Sequence, residues 1–221
     1  MEHRTPGDIE RTSMAILTRE LMERGAVLIP GTENVVRRVI HATADFDYAE
    51  NLRFTEGAVE KALEALRRGT DIVTDTNMTL SGVSKAGLQK LGCRALCFMA
   101  EPEIAELARQ KGTTRAVAAM DHAAAVCPGA ILSVGNAPTA LLRIAERIGQ
   151  GLRPALVIGV PVGFVNVVES KERVLEACQR AGVPAIVALG RKGGSTVSAA
   201  ILNALIYEAV DMTDPARRGW D

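Results

Sequence analysis

Aromatic side chains are scarce, at 3% of the 221 residues. A platform that stacks the bases of a single-stranded nucleic acid needs more of them. The core must instead be built from Ala, Val, Leu, Ile and Met, which suits close helix–sheet layers rather than a β-sandwich. A charge excess of either sign is also missing, because 26 Lys and Arg balance 26 Asp and Glu. No global basic field is available to hold a phosphate backbone, although a local basic pocket remains compatible with the balance. Cysteine is limited to Cys93, Cys97, Cys127 and Cys178, with no CxxC pair. That spacing gives neither a zinc framework nor a disulfide scaffold, so four free thiols in a reducing compartment are expected. No run of about 18 apolar residues is present, which argues against a membrane span. The polar start "MEHRTPGDIERTS" lacks the apolar segment of a secretory leader. The expectation is a cytoplasmic protein without nucleic-acid or membrane partners.

Hydrophobic residues make up 48% of the chain, enough for one core across residues 1–221. No linker or composition shift divides it. The first 13 residues read partly as an arm, and "DMTDPARRGWD" as a polar tail. Next, "DIERTSMAILTRELMERG" predicts a helix with Asp8 as its cap and Ile9, Ile16 and Leu21 turned inward. "LIPGTENVVRRVIHATAD" predicts a turn and a second helix capped by Thr32, with Val36, Val39 and Ile40 on its apolar face. In "TEGAVEKALEALRRGTDIVTD", Thr55 caps a helix whose Val59, Ala62 and Leu66 share a face, and Gly69 stops it. Strand and helix then alternate. Strands are expected near 71–75, 94–99, 130–134, 155–160 and 185–189. The fold predicted is a three-layer α/β/α domain with a five-stranded parallel, flavodoxin-like sheet.

Ligands of such sheets sit beyond the carboxyl ends of the strands. Four segments there mix Gly or Pro with small polar residues: "TDTNMTLSGVSK", "VGNAPTAL", "GVPVGFVNVVESK" and "LGRKGGSTVSAA". In the last, Gly193 and Gly194 allow close backbone approach, Ser195 starts a helix, and Arg191 and Lys192 add positive charge. This fits an anion site, and equally a tight turn with a Ser cap. It is not a phosphate-binding GxxxxGK[ST] loop. Asn136 ends a strand before Pro138 in a first helical turn. In the first segment, read as a loop, Met78 and Leu80 are apolar while Ser81, Ser84 and Lys85 are donors. Arg115 begins a helix, a place unfavourable to a cation unless it reaches an anion. His3 lies in the arm, and His122 reads as an ordinary polar residue beside Asp121. His41 has no paired ligand such as HExxH, so metal binding is not expected. It reads as a proton donor or hydrogen-bonding group. Its place near a helix end favours the cation, and Asp45 or Asp47 would add support if the fold brings one near.

These segments together resemble the precorrin-8X methylmutase family, also called cobalt-precorrin-8 methylmutase. "IERTSMAI" is similar to the family's first helix around a serine, here Ser13, and "VIHATAD" to its catalytic-histidine segment. "TDTNMTLSGV", "GNAPTALL", "VGFVNVVESKE" and "RKGGSTVSAAILNAL" follow in the family's order. The pair "GNAPTAL" and "PVGFVNVVESK" is highly specific. The resemblance implies migration of a methyl group from C11 to C12 of a corrinoid precursor, with no cofactor. Cobalt, where present, is part of the substrate. It implies His41 as the catalytic group. Ser13, Ser84, Arg115, Asn136, Arg191, Gly193, Gly194 and Ser195 become candidates for substrate binding. Ser84 stands where some members carry Thr and keeps the hydroxyl. A homodimer is the implied assembly.

A non-catalytic corrinoid or tetrapyrrole binder is the alternative, in which His41 would be dispensable to turnover. A nucleotide-binding α/β protein is weaker, since both the Walker motif and the dinucleotide fingerprint are missing.

Overall fold

Alternating apolar segments order this chain into layers, and the computed structural model describes residues 5–218. Helix α1 (Pro6–Glu23) is followed by α2 (Glu33–Thr43), a short α3 (Tyr48–Asn51) and strand β1 (Leu52–Phe54). Then come α4 (Ala58–Arg67), β2 (Ile72–Thr74), α5 (Asn77–Gly82), α6 (Lys85–Leu91) and β3 (Ala95–Leu96). The second half runs α7 (Pro102–Gln110), α8 (Arg115–Val126), β4 (Ile131–Val134), α9 (Pro138–Gly149) and β5 (Leu156–Gly159). It ends with α10 (Val167–Ala181), β6 (Ala185–Ala188), α11 (Ser195–Ala209) and a 3₁₀ turn at Pro215–Arg218.

The sheet has six strands in the order β1-β6-β5-β4-β2-β3. Strands β2 to β6 are parallel, while β1 pairs antiparallel with β6 through Leu52↔Ala188 and Phe54↔Ile186. This corrects the five-stranded, all-parallel expectation. "LRF" is too short to show a strand period, and only pairing with β6 makes it one. The correction matters for function. An antiparallel edge strand starts opposite the carboxyl end of its neighbour. The residues just before β1, including α2, are therefore delivered to the carboxyl edge of β6.

Side-chain alternation sorts the sheet into two faces. Ile72, Ile131, Ile158 and Ile186 pack with α1, α2, α4 and α11. Val73, Leu132, Val157 and Val187 pack with α7, α8, α9 and α10. This is a three-layer α/β/α arrangement. No helix among the described residues is long and apolar enough to cross a membrane.

Several local expectations change. The arm is shorter than predicted, because Thr5 caps α1 by accepting from Asp8 N at 3.2 Å; Asp8 is not the cap. Ile9 and Ile16 are 57% and 43% exposed, and Leu17 and Leu21 take the inward face. Thr32 precedes α2, but its hydroxyl donates to Ile29 O rather than capping. Gly57 occupies the α4 cap position, while Thr55 Oγ1 accepts from Ala185 N and ties β1 to β6. The segment read as a polar loop folds into α5 and α6, capped by Thr76 and Ser84. Nor is the tail loose up to residue 218: Met212, Pro215 and Arg218 are buried. His3 lies outside the described residues.

Candidate active site

Helix α2 forms because Val35, Val36, Val39 and Ile40 recur at helical spacing and are buried, while Glu33 in the first turn suits the helix dipole. Ala44 turns left-handed at φ 54° and ends it. His41 projects from the last turn, half-buried, and its Nδ1 is 2.9 Å from Ser13 Oγ on α1. Two clefts meet at this ring. One, of about 420 Å³, is walled by Ile9, Ser13, Ile16, Phe46 and His41. The other, of about 330 Å³, is walled by His41, Met78, Gly82, Ser195, Thr196 and Asn203. With Nδ1 engaged by Ser13, Nε2 is the ring nitrogen left for a ligand.

Burial holds the His41 imidazole below its ordinary value of 6.5, and the nearby Arg38 cation acts in the same direction. Glu10 opposes this, and Arg218 adds to it. The expected support for a cation is therefore not realised. Asp45 and Asp47 are instead held by Lys192 Nζ, at 2.7 and 2.5 Å. That ion pair fastens the segment after His41 to the turn before α11. Beneath the site, Glu10 binds Arg38 at 2.7 Å and Arg218 at 2.7 Å. Arg218 also donates to the carbonyls of Met212 and Thr213.

The four polar segments meet at the carboxyl edge. Ser195, the first residue of α11, has its Oγ 2.9 Å from Thr76 Oγ1. Gly194 N donates to Val160 O at 2.8 Å, and a side chain on Gly193 would collide with the carbonyls of Val160 and Pro161. No side chain caps α11, so its first N–H groups are not closed off from that direction. The fully buried Lys171 donates from Nζ to Gly190 O and Lys192 O at 2.8 Å, bracing the same turn. Burial depresses its pKa to about 8.

The helix N-terminus at "GNAPTAL" behaves differently. Asp75, at the end of β2, accepts from Gly135, Asn136 and Ala137 N–H groups, each at 2.8 Å. Burial pushes the Asp75 carboxyl up, opposed by those three donors. An internal carboxylate thus already occupies the place where a substrate anion would sit. Asn136 contributes its backbone there, and its side chain remains exposed.

The predicted residues are accordingly dispersed. Ser13, His41 and Ser195 border the two clefts. Ser84 caps α6, and its N–H donates to Asn203 Oδ1 at 2.8 Å, so it steadies a residue of the cleft wall. Arg191 is exposed, its guanidinium 5.5 Å over the Phe164 ring. Arg115 is exposed at the start of α8, beside Thr114, whose hydroxyl is 3.3 Å from Thr139 on α9. Neither arginine joins an ion pair among the described residues. His122 packs edge-on against Phe98 and stays outside the site. Among the described residues, no group of three His, Cys, Asp or Glu is placed to hold a metal ion.

Sequence reasoning missed Glu10, Arg38, Arg218 and Lys171. The first three meet across most of the chain, which leaves no local signal. Lys171 had one: it continues the buried Val167, Val174 and Cys178 stripe of α10.

A family model described as precorrin-8X methylmutase matches residues 8–208. The cobalt-precorrin-8 methylmutase of Leptospira interrogans is 45% identical over 177 residues, covering 78% of this chain and 80% of that protein. The protein of the same description from Salmonella typhimurium is 43% identical, covering 91% of this chain and 95% of its own length. A crystal structure of precorrin-8X methylmutase from Thermus thermophilus superposes with a TM-score of 0.81 at 44% identity, covering 92% of this chain and 98% of that one.

Proposed function

The chain belongs to the precorrin-8X methylmutase family, and on that premise we propose that the clefts around His41 hold a corrinoid precursor while its methyl group moves from C11 to C12. The enzyme is an isomerase, a methylmutase that converts precorrin-8X or cobalt-precorrin-8 in cobalamin biosynthesis. Any cobalt enters within the substrate.

One observation carries the assignment of the site: His41 stands between two clefts with Nδ1 fixed by Ser13 and Nε2 unengaged. The depressed pKa makes the neutral ring the resting form. We assign the Ser13 hydroxyl as donor to Nδ1, the tautomer that puts the proton on Nε2, facing the ligand. A carboxylate-bearing substrate would oppose the depression and raise the pKa of the ring toward neutral pH, where it gives or takes a proton readily. The overall change is an isomerisation. A proton delivered to the macrocycle at one position must therefore be matched by one lost from another.

Substrate carboxylates are assigned to Arg191, Arg115 and the uncapped start of α11 at Gly193, Gly194 and Ser195. Ser84 is assigned an indirect part through Asn203, and Asn136 a part at the rim. We place the active form as a homodimer. The exposed Ile9 and Ile16 at the wall of the His41 cleft offer apolar surface for a partner subunit. The deciding experiment incubates purified protein with precorrin-8X and, separately, with cobalt-precorrin-8, and follows absorption. Conversion of either supports the reading. A protein that binds both without spectral conversion is a binder and not a methylmutase.

A further inference from the structure

A third cavity lies one helical turn from His41, and an uncompensated arginine faces it. Arg37 precedes His41 by four residues on α2, a rise of about 6 Å along the same face. The cavity, of about 140 Å³, is walled by Thr18, Asn34, Arg37, Arg38, Tyr207 and Thr213. The Arg37 Nε is shielded from solvent and makes no hydrogen bond. Buried N–H donors are seldom left in that state. No acid among the described residues neutralises this guanidinium. Of the acids bonded to the cavity wall, Glu10 is held by Arg38 and Arg218, and Glu208 by Asn34 Nδ2 at 2.9 Å; Glu33, four residues earlier on α2, forms no ion pair with Arg37.

The cavity is not isolated from the chemistry. Arg38 and Tyr207 wall both this space and the cleft that contains His41 and Ser195. Arg38 is fixed by Glu10 on one side and lies over the Tyr207 ring at 5.3 Å. Arg38 and Tyr207 thus form the wall shared by the two spaces, and a planar ligand against His41 would reach its peripheral arm across that wall. Beyond them the arm meets Arg37, with the Thr18 hydroxyl close by.

We propose that this cavity is a subsite for one carboxylate arm of the macrocycle, with Arg37 as its charge partner. The inference rests on the reading of the His41 clefts as the macrocycle site. Arg37 acts here in substrate binding, and Arg38 as the fixed doorpost. The guanidinium fork of Arg37 on the cavity wall suits a carboxylate.

The test compares wild type, Arg37→Gln and Thr18→Glu. The readouts are equilibrium titration with hydrogenobyrinate or its cobalt form, steady-state conversion of whichever of precorrin-8X and cobalt-precorrin-8 the wild type accepts, and thermal melting. Arg37→Gln is expected to raise both the Kd for that product and KM by about tenfold or more, the loss falling on KM rather than kcat. Thr18→Glu places a tethered carboxylate beside Arg37. It is expected to raise Tm and raise KM together, and it decides the question if Arg37→Gln fails to fold. Kd and KM within twofold of wild type in a folded Arg37→Gln protein overturn the subsite, as does an unchanged KM in Thr18→Glu. If wild type itself neither binds nor converts, the reading of the His41 clefts falls and this inference falls with it. Normal wild-type turnover with indifferent variants sinks the subsite alone.

Discussion

Ser13 Oγ and His41 Nδ1 stand 2.9 Å apart across α1 and α2, joining residues 28 positions apart in the chain. The contact fixes the ring plane and directs Nε2 away from α1. His41→Ala should fold and still bind corrinoid, yet lose turnover by about 10²–10⁴-fold. Ser13→Ala removes only the orienting bond, worth about 1 kcal/mol, and should slow methyl migration by roughly tenfold or less. Single-turnover absorption traces of both variants check the order; equal losses would show that Ser13 does more than orient.

The depressed pKa of His41 has a sign that stability measurements can read. Its unfolded value is near 6.5 and its folded value lies lower, so the unfolded chain takes up the proton first as pH falls. The contribution of the neutral ring is therefore full above pH 6.5 and is lost as pH falls through the folded pKa. Urea unfolding from pH 8 to 5 should show a decline that His41→Gln flattens. An identical decline in that variant would assign the pH dependence to other groups.

Arg218 closes the end of the described chain onto α1. Its side chain is 2% exposed and meets Glu10 at 2.7 Å. Arg218→Met leaves Glu10 paired with Arg38. The cost should be about 2–4 kcal/mol, somewhat below that of a buried pair broken outright. Denaturant midpoints measure it directly. Because Arg38 borders the His41 cleft, KM should rise as well.

Asp75→Asn tests the internal anion at the end of β2. An amide cannot accept from Gly135, Asn136 and Ala137 at once without turning its own NH₂ on one of them. A loss of about 2–4 kcal/mol is expected from one or more unpaired donors. A neutral substitution would mean that water replaces the carboxylate there.

Gly193→Ala should displace the β6–α11 turn. A Cβ at this position would sit 2.7 Å from Pro161 O and still nearer to Val160 O. Neither neighbour is the end of a flexible side chain, so the backbone must move and carry Ser195 with it. Lower Tm together with weakened corrinoid binding is expected. Unchanged binding in a folded variant would remove this turn from the substrate site.

Local pattern was enough for the longer helices, whose buried face recurs in nearby residues, and for the parallel strands, which read as short apolar runs, but not for the short α3, α5 and α6. Ile72, Ile131, Ile158 and Ile186 stand beside equally apolar and buried neighbours, so the sequence shows the strands as runs and only the fold assigns each residue to a layer. The motif segments around His41, Gly193 and Ser195 were equally visible, since unusual turn composition is local. Tertiary structure alone decided what those segments meet. "LRF" becomes a strand only by pairing with β6, and its antiparallel sense carries α2 to the carboxyl edge. Lys192 looked like a free cation in sequence but is spent on Asp45 and Asp47. The start of α9 offered only a strand end and a Pro in sequence, whereas the fold fills it with Asp75. The ionisation of His41 was misread for the same reason. A residue's own helix supplies a dipole, whereas burial and Arg38, which set the observed direction, come from packing. Periodicity reports which face of an element is apolar; charge partners and desolvation depend on distances between elements, which no short window of sequence contains.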